Sequence, residues 1–165
     1  MQYLDDVNAA LQQLRQQVYD QGDYYRASTD PDLDMTDEEF RARLAPRHTD
    51  PERYDAIVEA WLERRSRPEP IDPDTLLAAQ PESGTHSIID MVNGVSAEPE
   101  FGTVSPLPPD DLISTFGTVT PSAGQVEAWM GTDSFDARDR WIGTYVISYQ
   151  DGRPAHIHFC GHSGD

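Results

Sequence analysis

The chain has 165 residues, with 12 basic residues, all of them arginine, against 30 acidic residues, for a formal charge of −18. Its length fits one domain with its own core. It has no run of about 18 apolar residues, which excludes a transmembrane helix, and a single cysteine excludes an internal disulfide framework. The first residues lack the basic and apolar regions of a signal peptide, so we expect a cytoplasmic protein.

The excess of negative charge predicts what the protein avoids and what it attracts. Nucleic acid phosphates and anionic membrane surfaces are repelled, so we expect no direct contact with either. Residues 1–70 hold 9 arginines and 16 acids, whereas residues 71–165 hold 3 arginines and 14 acids. The second half has few cations to neutralise its carboxylates, and such a field attracts a basic protein partner.

The first segment of the chain has the pattern of an amphipathic helix. Its apolar residues are spaced by three and four, which forms a heptad seam on an otherwise polar helix. The seam predicts either docking of this helix on the rest of the domain or a homodimer through the same residues. These residues are Leu4, Val7, Leu11, Leu14 and Val18.

Three further helices are predicted from their start signals. Thr36 to Glu39 has the pattern of a capping box. Asp50-Pro51 and Asp72-Pro73 each place aspartate at the N-cap and proline at the first helical position. Together with the first segment, these helices form a predicted helical layer over residues 1–82.

From residue 84 onward, the hydrophobic period shortens toward two, which is typical of strands. Asn93-Gly94 and Asp151-Gly152 are tight-turn signals, and the second predicts the clearest hairpin in the chain. Helices that precede strands favour segregated layers over alternating β-α-β units. The predicted fold class is therefore α+β, a single domain over 1–165 with N-terminal helices packed on a C-terminal antiparallel sheet (83–165) of four to six strands. The strand candidates are residues 85–92, 101–105, 112–120, 125–130, 140–150 and 153–161.

The last predicted strand carries the one pattern that points to chemistry. Side chains alternate along a strand, so His156, His158 and Cys160 share one face. A His-x-His pair can bind zinc or another transition metal with a further ligand from elsewhere, and a neighbouring imidazole can activate a thiol. The alternative is that Ile157 and Phe159 face the core, and that the histidine face meets solvent, a covering helix or a partner.

Three short pieces of the chain resemble small proteins of high-GC actinobacteria. They are GDYY at residues 22–25, GTHSIIDM at residues 84–91 and FCGHSGD at residues 159–165. The resemblance implies no activity. Proteins of that group carry aromatic residues where His158 or residues 160–162 stand here, and this difference weakens the metal interpretation.

These observations predict an acidic cytoplasmic binding protein that neutralises or docks a basic partner, such as the immunity protein of a basic toxin or nuclease. The sequence favours a binding protein over an enzyme, and it predicts no cofactor. Two alternatives stay open: a small metal-dependent enzyme or metal sensor that uses the histidine strand, and a structural subunit that assembles through the heptad seam. The acids expected to meet the partner are Asp72, Asp74, Asp110, Asp111, Asp133 and Asp136.

Overall fold

A computed structural model shows that the chain forms two compact units. Unit 1 comprises Met1–Tyr25 together with Ile71–Asp165, and unit 2 comprises Arg26–Pro70. The single domain predicted over residues 1–165 stays a prediction. The structure describes residues 1–26, 32, 35–66, 68–81, 83–132 and 138–161.

Unit 2 contains two helices that begin where the sequence predicts. α2 spans Asp37–Leu44, and a capping box at its start pairs Thr36 with Glu39. α3 spans Pro51–Arg65, with Asp50 as N-cap and proline at the first helical position. The caps satisfy backbone N–H groups that no carbonyl of the helix can reach, which fixes where both helices begin.

The core of unit 2 is built around Trp61. Its ring stacks on Phe40 with 4.3 Å between the centroids, and Leu44 and Val58 are buried beside them. The indole Nε1 donates a hydrogen bond of 2.8 Å to the carbonyl of Asp32. An aromatic pair contributes about 0.5–1.5 kcal/mol beyond the area that it buries, so this small core holds α2 against α3.

Unit 1 begins with α1 (Val7–Gln21), which ends at Gly22 in the left-handed conformation, with φ 69°. Leu11 of this helix is fully buried and packs with Met91 and Val104 in the core of unit 1. Leu11 of the heptad seam therefore docks within the chain, which is one of the two outcomes that the spacing predicts, whereas Leu4 precedes the helix and is 38% exposed. A homodimer through the seam is untested and stays a prediction.

α4 is a short helix with a defined start. It spans Pro73–Ala79, and the carboxylate of Asp72 accepts a hydrogen bond of 2.8 Å from the Thr75 N–H. Leu76 is buried on the inner side of the helix. The Asp-Pro start signal in the sequence thus predicts this helix correctly.

A 3₁₀ helix over Ile88–Asp90 replaces the strand that the sequence predicts over residues 85–92. That prediction is wrong because Asp90 is buried, and its Oδ1 accepts two hydrogen bonds of 2.7 Å from the backbone N–H and the hydroxyl of Thr85. A side chain that binds the backbone five residues away closes a loop, which an extended strand cannot do.

The described sheet of unit 1 has four strands, in the order β1-β2-β3-β4. β1 runs parallel to β2, β2 runs parallel to β3, and β3 is antiparallel to β4. The α+β class is confirmed, but the prediction of an antiparallel sheet is wrong, since the sheet is mixed. In chain order the strands span Gly94–Val95, Thr103–Pro106, Ile142–Gln150 and Arg153–Cys160.

Two helices connect β2 to β3, in the segment where the sequence predicts strands. α5 spans Pro109–Phe116 and α6 spans Ala123–Met130, so the strands predicted over residues 112–120 and 125–130 are wrong. α5 starts with a proline and two aspartates in its first turn, and α6 starts with a serine–glutamine capping box. These helix start signals prevail over the apolar composition. Parallel strands need a long crossover, which the two helices supply.

β3 and β4 form the hairpin that the sequence predicts. Its tip is Asp151-Gly152, with φ 52° and 73°, the pair of positive values that a type I′ turn requires. The register shifts between Ser148 and Tyr149, so that Ala155 is an extra residue on β4. A bulge of this kind bends the strand and increases its twist.

Candidate functional site

The alternation predicted along β4 is present in the structure. Ile157 is fully buried, and Phe159 packs in the core of unit 1. His156, His158 and Cys160 lie on the opposite face and are half-buried. This histidine face is neither in the apolar core nor fully in solvent, so its polar groups need partners within the sheet.

The two histidines of this face lie close together but differ in their partners. Their ring centroids are 6.2 Å apart. Nε2 of His158 is 2.9 Å from the hydroxyl of Ser148 on β3, and burial lowers the pKa of His158. Nδ1 of His156 is buried without a hydrogen-bond partner in the described part of the chain. At neutral pH, His158 is therefore an uncharged ring that satisfies a buried serine.

A metal site on the histidine face needs a further ligand, because two imidazoles alone do not complete the coordination of zinc. Within the ranges that the structure describes, no three histidine, cysteine, aspartate or glutamate side chains gather in a way that holds an ion. Metal binding by His156, His158 and Cys160 therefore stays a prediction.

The thiol of Cys160 is turned into the sheet. Its Sγ donates to the carbonyl of Thr144 on β3 at 3.6 Å. Burial raises the pKa of Cys160 to about 12, although the positive charge of Arg138 acts in the opposite direction. The thiolate is the nucleophilic form of cysteine, so this environment opposes a role as nucleophile.

We expect Cys160 to resist alkylation in the folded protein. With a pKa of about 12, its thiolate fraction at pH 8 is roughly a thousandfold below that of a free cysteine. Iodoacetamide labelling followed by mass spectrometry of the intact protein measures the rate. The same protein in guanidinium chloride is the control and should react as a free thiol does. Fast labelling under native conditions would contradict the buried placement of this group.

Arg15 on α1 is turned into unit 1 and is 3% exposed. Its Nε donates a hydrogen bond of 3.0 Å to the carbonyl of Ile89. The two terminal nitrogens donate to Gln12 at 2.7 Å and to Asp74 at 2.6 Å. These bonds satisfy a cation that burial would otherwise destabilise, and they join α1 to α4 and to the 3₁₀ helix.

Arg138 is the second arginine of unit 1 that points inward. Its Nη1 donates to the carbonyl of Gly143 at 3.0 Å and to both the carbonyl and the hydroxyl of Ser105. Its Nη2 donates to the carbonyl of Pro106 at 2.9 Å. The guanidinium thus bridges β2 and β3 through hydrogen bonds to backbone carbonyls and to the Ser105 hydroxyl.

Two of the acids predicted to meet a partner have partners inside the chain. Hydrogen bonds from the backbone and hydroxyl of Thr75 lower the pKa of Asp72, the N-cap of α4. Asp74 binds Arg15, although its own side chain is 75% exposed. Both carboxylates therefore have a structural role, and their part in binding stays a prediction.

The acids of α5 are placed differently. Asp110 and Asp111 lie in its first turn and are exposed, where the partial positive charge of a helix N-terminus stabilises carboxylates. Asp133 and Asp136 lie outside the described residues. Of the predicted contact residues that the structure describes, Asp110 and Asp111 are thus the pair that is best placed to meet a partner.

A surface that the sequence analysis missed lies at the amino ends of the parallel strands. Three β-turns stand side by side there, and each leads directly into a strand. Backbone hydrogen bonds join them, from the Asn93 N–H to the Gly102 carbonyl at 2.8 Å and from the Gly102 N–H to the Trp141 carbonyl at 2.7 Å. We call these three turns the turn row; they span residues 91–94, 100–103 and 139–142.

The turn row carries exposed side chains of two kinds. The ring of Phe101 is 65% exposed and stacks on Trp141 with 5.7 Å between the centroids and 29° between the planes. The first residues of two of the turns, Glu100 and Asp139, are exposed acids. The second residues of the three turns are all exposed, and they are Val92, Phe101 and Arg140.

Trp141 has a backbone conformation that is unusual for a large residue. Its φ is 69°, a region that glycine adopts freely and bulky residues rarely adopt. The indole packs against Gly84, where an added Cβ would lie 2.1 Å from Cη2 of Trp141. Strain of this kind persists only where surrounding contacts enforce it, and it is concentrated at functional sites. The turn row is therefore a second candidate surface beside the histidine face.

Comparisons with known proteins do not suggest a function for this chain. No protein-family model, no curated protein and no solved structure gives a significant match. The function is therefore inferred from the charge of unit 1, from the histidine face and from the turn row.

Proposed function

We propose that this chain is an acidic cytoplasmic binding protein that docks on a basic protein and neutralises it, as an immunity or inhibitor protein does with a basic toxin or nuclease. The observation that carries the proposal is the charge distribution of unit 1. Its sequence holds four arginines against eighteen acids, and half of these few cations point inward.

The inward arginines leave unit 1 with little positive charge at its surface. Arg15 binds Asp74 and a backbone carbonyl, and Arg138 binds carbonyls of β2 and β3. Arg140 and Arg153 are exposed. Because eighteen acids outnumber four arginines in unit 1, the unit acts on an approaching partner as a net negative field.

The sign of this field selects the class of partner. Nucleic acid phosphates and anionic lipids are repelled, whereas protein surfaces rich in lysine and arginine are attracted. Among the residues that the structure describes, no helix is both long enough and apolar enough to cross a bilayer. Exposed carboxylates such as Asp110 and Asp111 raise the association rate more than they tighten the complex. The partner is thus a cationic protein, and its capture depends on salt.

The salt dependence of association tests the proposal. The partner is captured on the immobilised chain from a lysate of the source cells, identified by mass spectrometry and purified. We expect its association rate constant to fall about tenfold or more between roughly 20 and 500 mM NaCl, because salt screens the attraction. An association rate that is flat across this range would contradict electrostatic capture.

A matched pair of charge variants localises the effect. Asp110→Asn with Asp111→Asn removes two charges from α5, whereas Asp55→Asn with Glu59→Gln removes two exposed charges from α3 of unit 2. The first variant should slow association about 2- to 10-fold more than the second. Equal effects would contradict a contribution of the α5 acids to the approach of the partner.

The two alternative functions have less support. For a metal-dependent enzyme or sensor, no three histidine, cysteine, aspartate or glutamate side chains gather to hold an ion within the described ranges. An assembly subunit that pairs through the heptad seam would need Leu11, which is buried in the core of unit 1. We therefore keep the binding function as the proposal.

A further inference from the structure

We infer that the turn row is the docking surface for the basic partner, and that the ring pair of Phe101 and Trp141 receives an arginine side chain of that partner. The inference rests on the proposed function and gives the place where it acts. Three properties of the row carry it: exposed aromatic area, a backbone that is fixed in advance, and flanking carboxylates.

The ring pair offers the kind of area that dominates protein interfaces. Phe101 is 65% exposed and Trp141 is half-buried beside it. Val92 on the neighbouring turn is also exposed, at 39%, and adds apolar area to the turn row. Aromatic side chains that become buried at the centre of an interface supply most of its binding energy. Contiguous exposed apolar residues mark such sites better than scattered ones do.

The backbone holds the rings in place before a partner arrives. The side-chain amide of Asn93 donates to the Phe101 carbonyl at 2.9 Å, and the Gly102 N–H donates to the Trp141 carbonyl at 2.7 Å. Ordering a loop on binding weakens a complex, so a surface that is ordered beforehand loses less affinity.

The conformation of Trp141 is independent support. Glycine would adopt its φ of 69° without strain, yet glycine would lose both the stacking on Phe101 and the packing on Gly84. Strain of this kind is concentrated at functional sites, so the conformation of Trp141 supports a pre-formed recognition surface.

Carboxylates flank the ring pair. Glu100 directly precedes Phe101, and Asp139 lies two residues before Trp141. Both acids are exposed, as is Glu98 in the same loop. A guanidinium group stacks on an aromatic face while its N–H groups bind a carboxylate, whereas an ammonium group has no plane to stack. The surface therefore suits arginine better than lysine.

A second copy of this chain is the competing occupant. Arg140 on the third turn is exposed and would supply the cation in such a pair. The formal charge of −18 on each copy opposes self-association. The proposed occupant of the turn row is therefore a basic protein and not a second copy.

Peptide binding followed by NMR tests the inference on the full chain, with hexaarginine and hexalysine peptides as probes at about 150 mM NaCl. The chain has three tryptophans, and Trp141→Phe identifies which indole N–H signal belongs to Trp141. We expect that signal to shift with hexaarginine, and we expect hexaarginine to bind about 2- to 5-fold more tightly than hexalysine. Phe101→Ala should bring the ratio of the two affinities close to one.

Ile71→Ala is the matched control, because Ile71 is also in unit 1 and is 78% exposed. It should keep the preference for hexaarginine, and circular dichroism checks that both variants are folded. Equal binding of the two peptides with an unmoved Trp141 signal would overturn the inference and leave the proposed function standing. If neither peptide binds, even at about 20 mM NaCl, the proposed function itself is overturned. A wild-type dimer that Phe101→Ala dissociates in light scattering would make the turn row a self-interface and overturn the inference.

Discussion

Replacing Arg15 by alanine is expected to lower the free energy of unfolding by about 2–4 kcal/mol. The side chain is 3% exposed, so the substitution opens a cavity beneath α1. It also removes the donor that lies 3.0 Å from the carbonyl of Ile89 in a buried place. A buried acceptor left without a partner costs about 1–3 kcal/mol by itself. Urea unfolding followed by far-UV circular dichroism measures the loss.

Asp74→Asn removes the ion pair of Arg15 and keeps its buried hydrogen bond to the Ile89 carbonyl. The side chain of Asp74 is 75% exposed whereas that of Arg15 is 4% exposed, so solvent reaches the pair from the carboxylate side, and asparagine keeps a side-chain oxygen that can accept the bond from Nη2. The asparagine variant should therefore lose much less stability than the alanine variant. Similar losses in the two variants would show that the ion pair, and not the bond to Ile89, fastens α1.

Gly84→Ala is expected to destabilise the protein by about 2–5 kcal/mol. Gly84 has φ 65°, and an added Cβ would lie 2.1 Å from Cη2 of Trp141 and 3.0 Å from Oδ2 of Asp90. The left-handed conformation costs alanine roughly 1–2 kcal/mol, and overpacking adds about 1–3 kcal/mol. The indole and the carboxylate close both sides, so the methyl group has no free space to enter. Thermal and urea unfolding measure the effect.

Gly117→Ala is the matched control for this variant. Gly117 has φ 72°, but nothing lies within 4 Å of an added Cβ, so the conformational cost of roughly 1–2 kcal/mol is all that remains. A double-mutant cycle with Trp141→Ala isolates the steric part, because Gly84→Ala should cost less where the indole is absent. Equal losses at the two glycines would contradict the close packing of Trp141 on Gly84.

Features that depend on neighbours in the sequence are those that the sequence predicts correctly. The capping box at Thr36 and the Asp-Pro starts at Asp50 and Asp72 each use residues within one helical turn. The hairpin at Asp151-Gly152 likewise needs a turn of two residues and two flanking strands. In these cases the local preference agrees with the final fold, so the sequence signal predicts the structure.

Helices form within the segments 112–120 and 125–130 although their composition predicts strands. Both segments are apolar and short, and short apolar runs do not distinguish a strand from a helix by period. The deciding signals were the proline at the start of α5 and the capping box at the start of α6. These signals lie just before or at the edge of each run, and they carry more information than its composition.

The parallel strands and the turn row depend on contacts between distant parts of the chain. Asn93-Gly94 is a turn signal in the sequence, and it predicts a hairpin there. In the structure, the turn instead leads into β1, which pairs in parallel with β2. The turns at 100–103 and 139–142 become neighbours because the α5–α6 crossover places β3 beside β2. No periodicity within either segment contains that information.

For β4, the sequence predicts which side chains share a face but not which groups they bind. Alternation along a strand correctly placed Ile157 in the core and the histidines on the other face. The partners on that face come from β3 and from Arg138, which lie elsewhere in the sequence. They decide that Cys160 is a buried thiol and that His158 binds Ser148.

The discontinuity of unit 1 along the chain has a consequence for biosynthesis. Leu11 is synthesised well before Met91 and Val104, the residues that cover it in the finished core. While residues 26–70 are being translated, the apolar side of α1 has none of these partners, whereas unit 2 draws its contacts from one continuous stretch. We therefore expect the core of unit 1 to form only after β2 has been synthesised, and a long exposure of α1 before that point to favour aggregation.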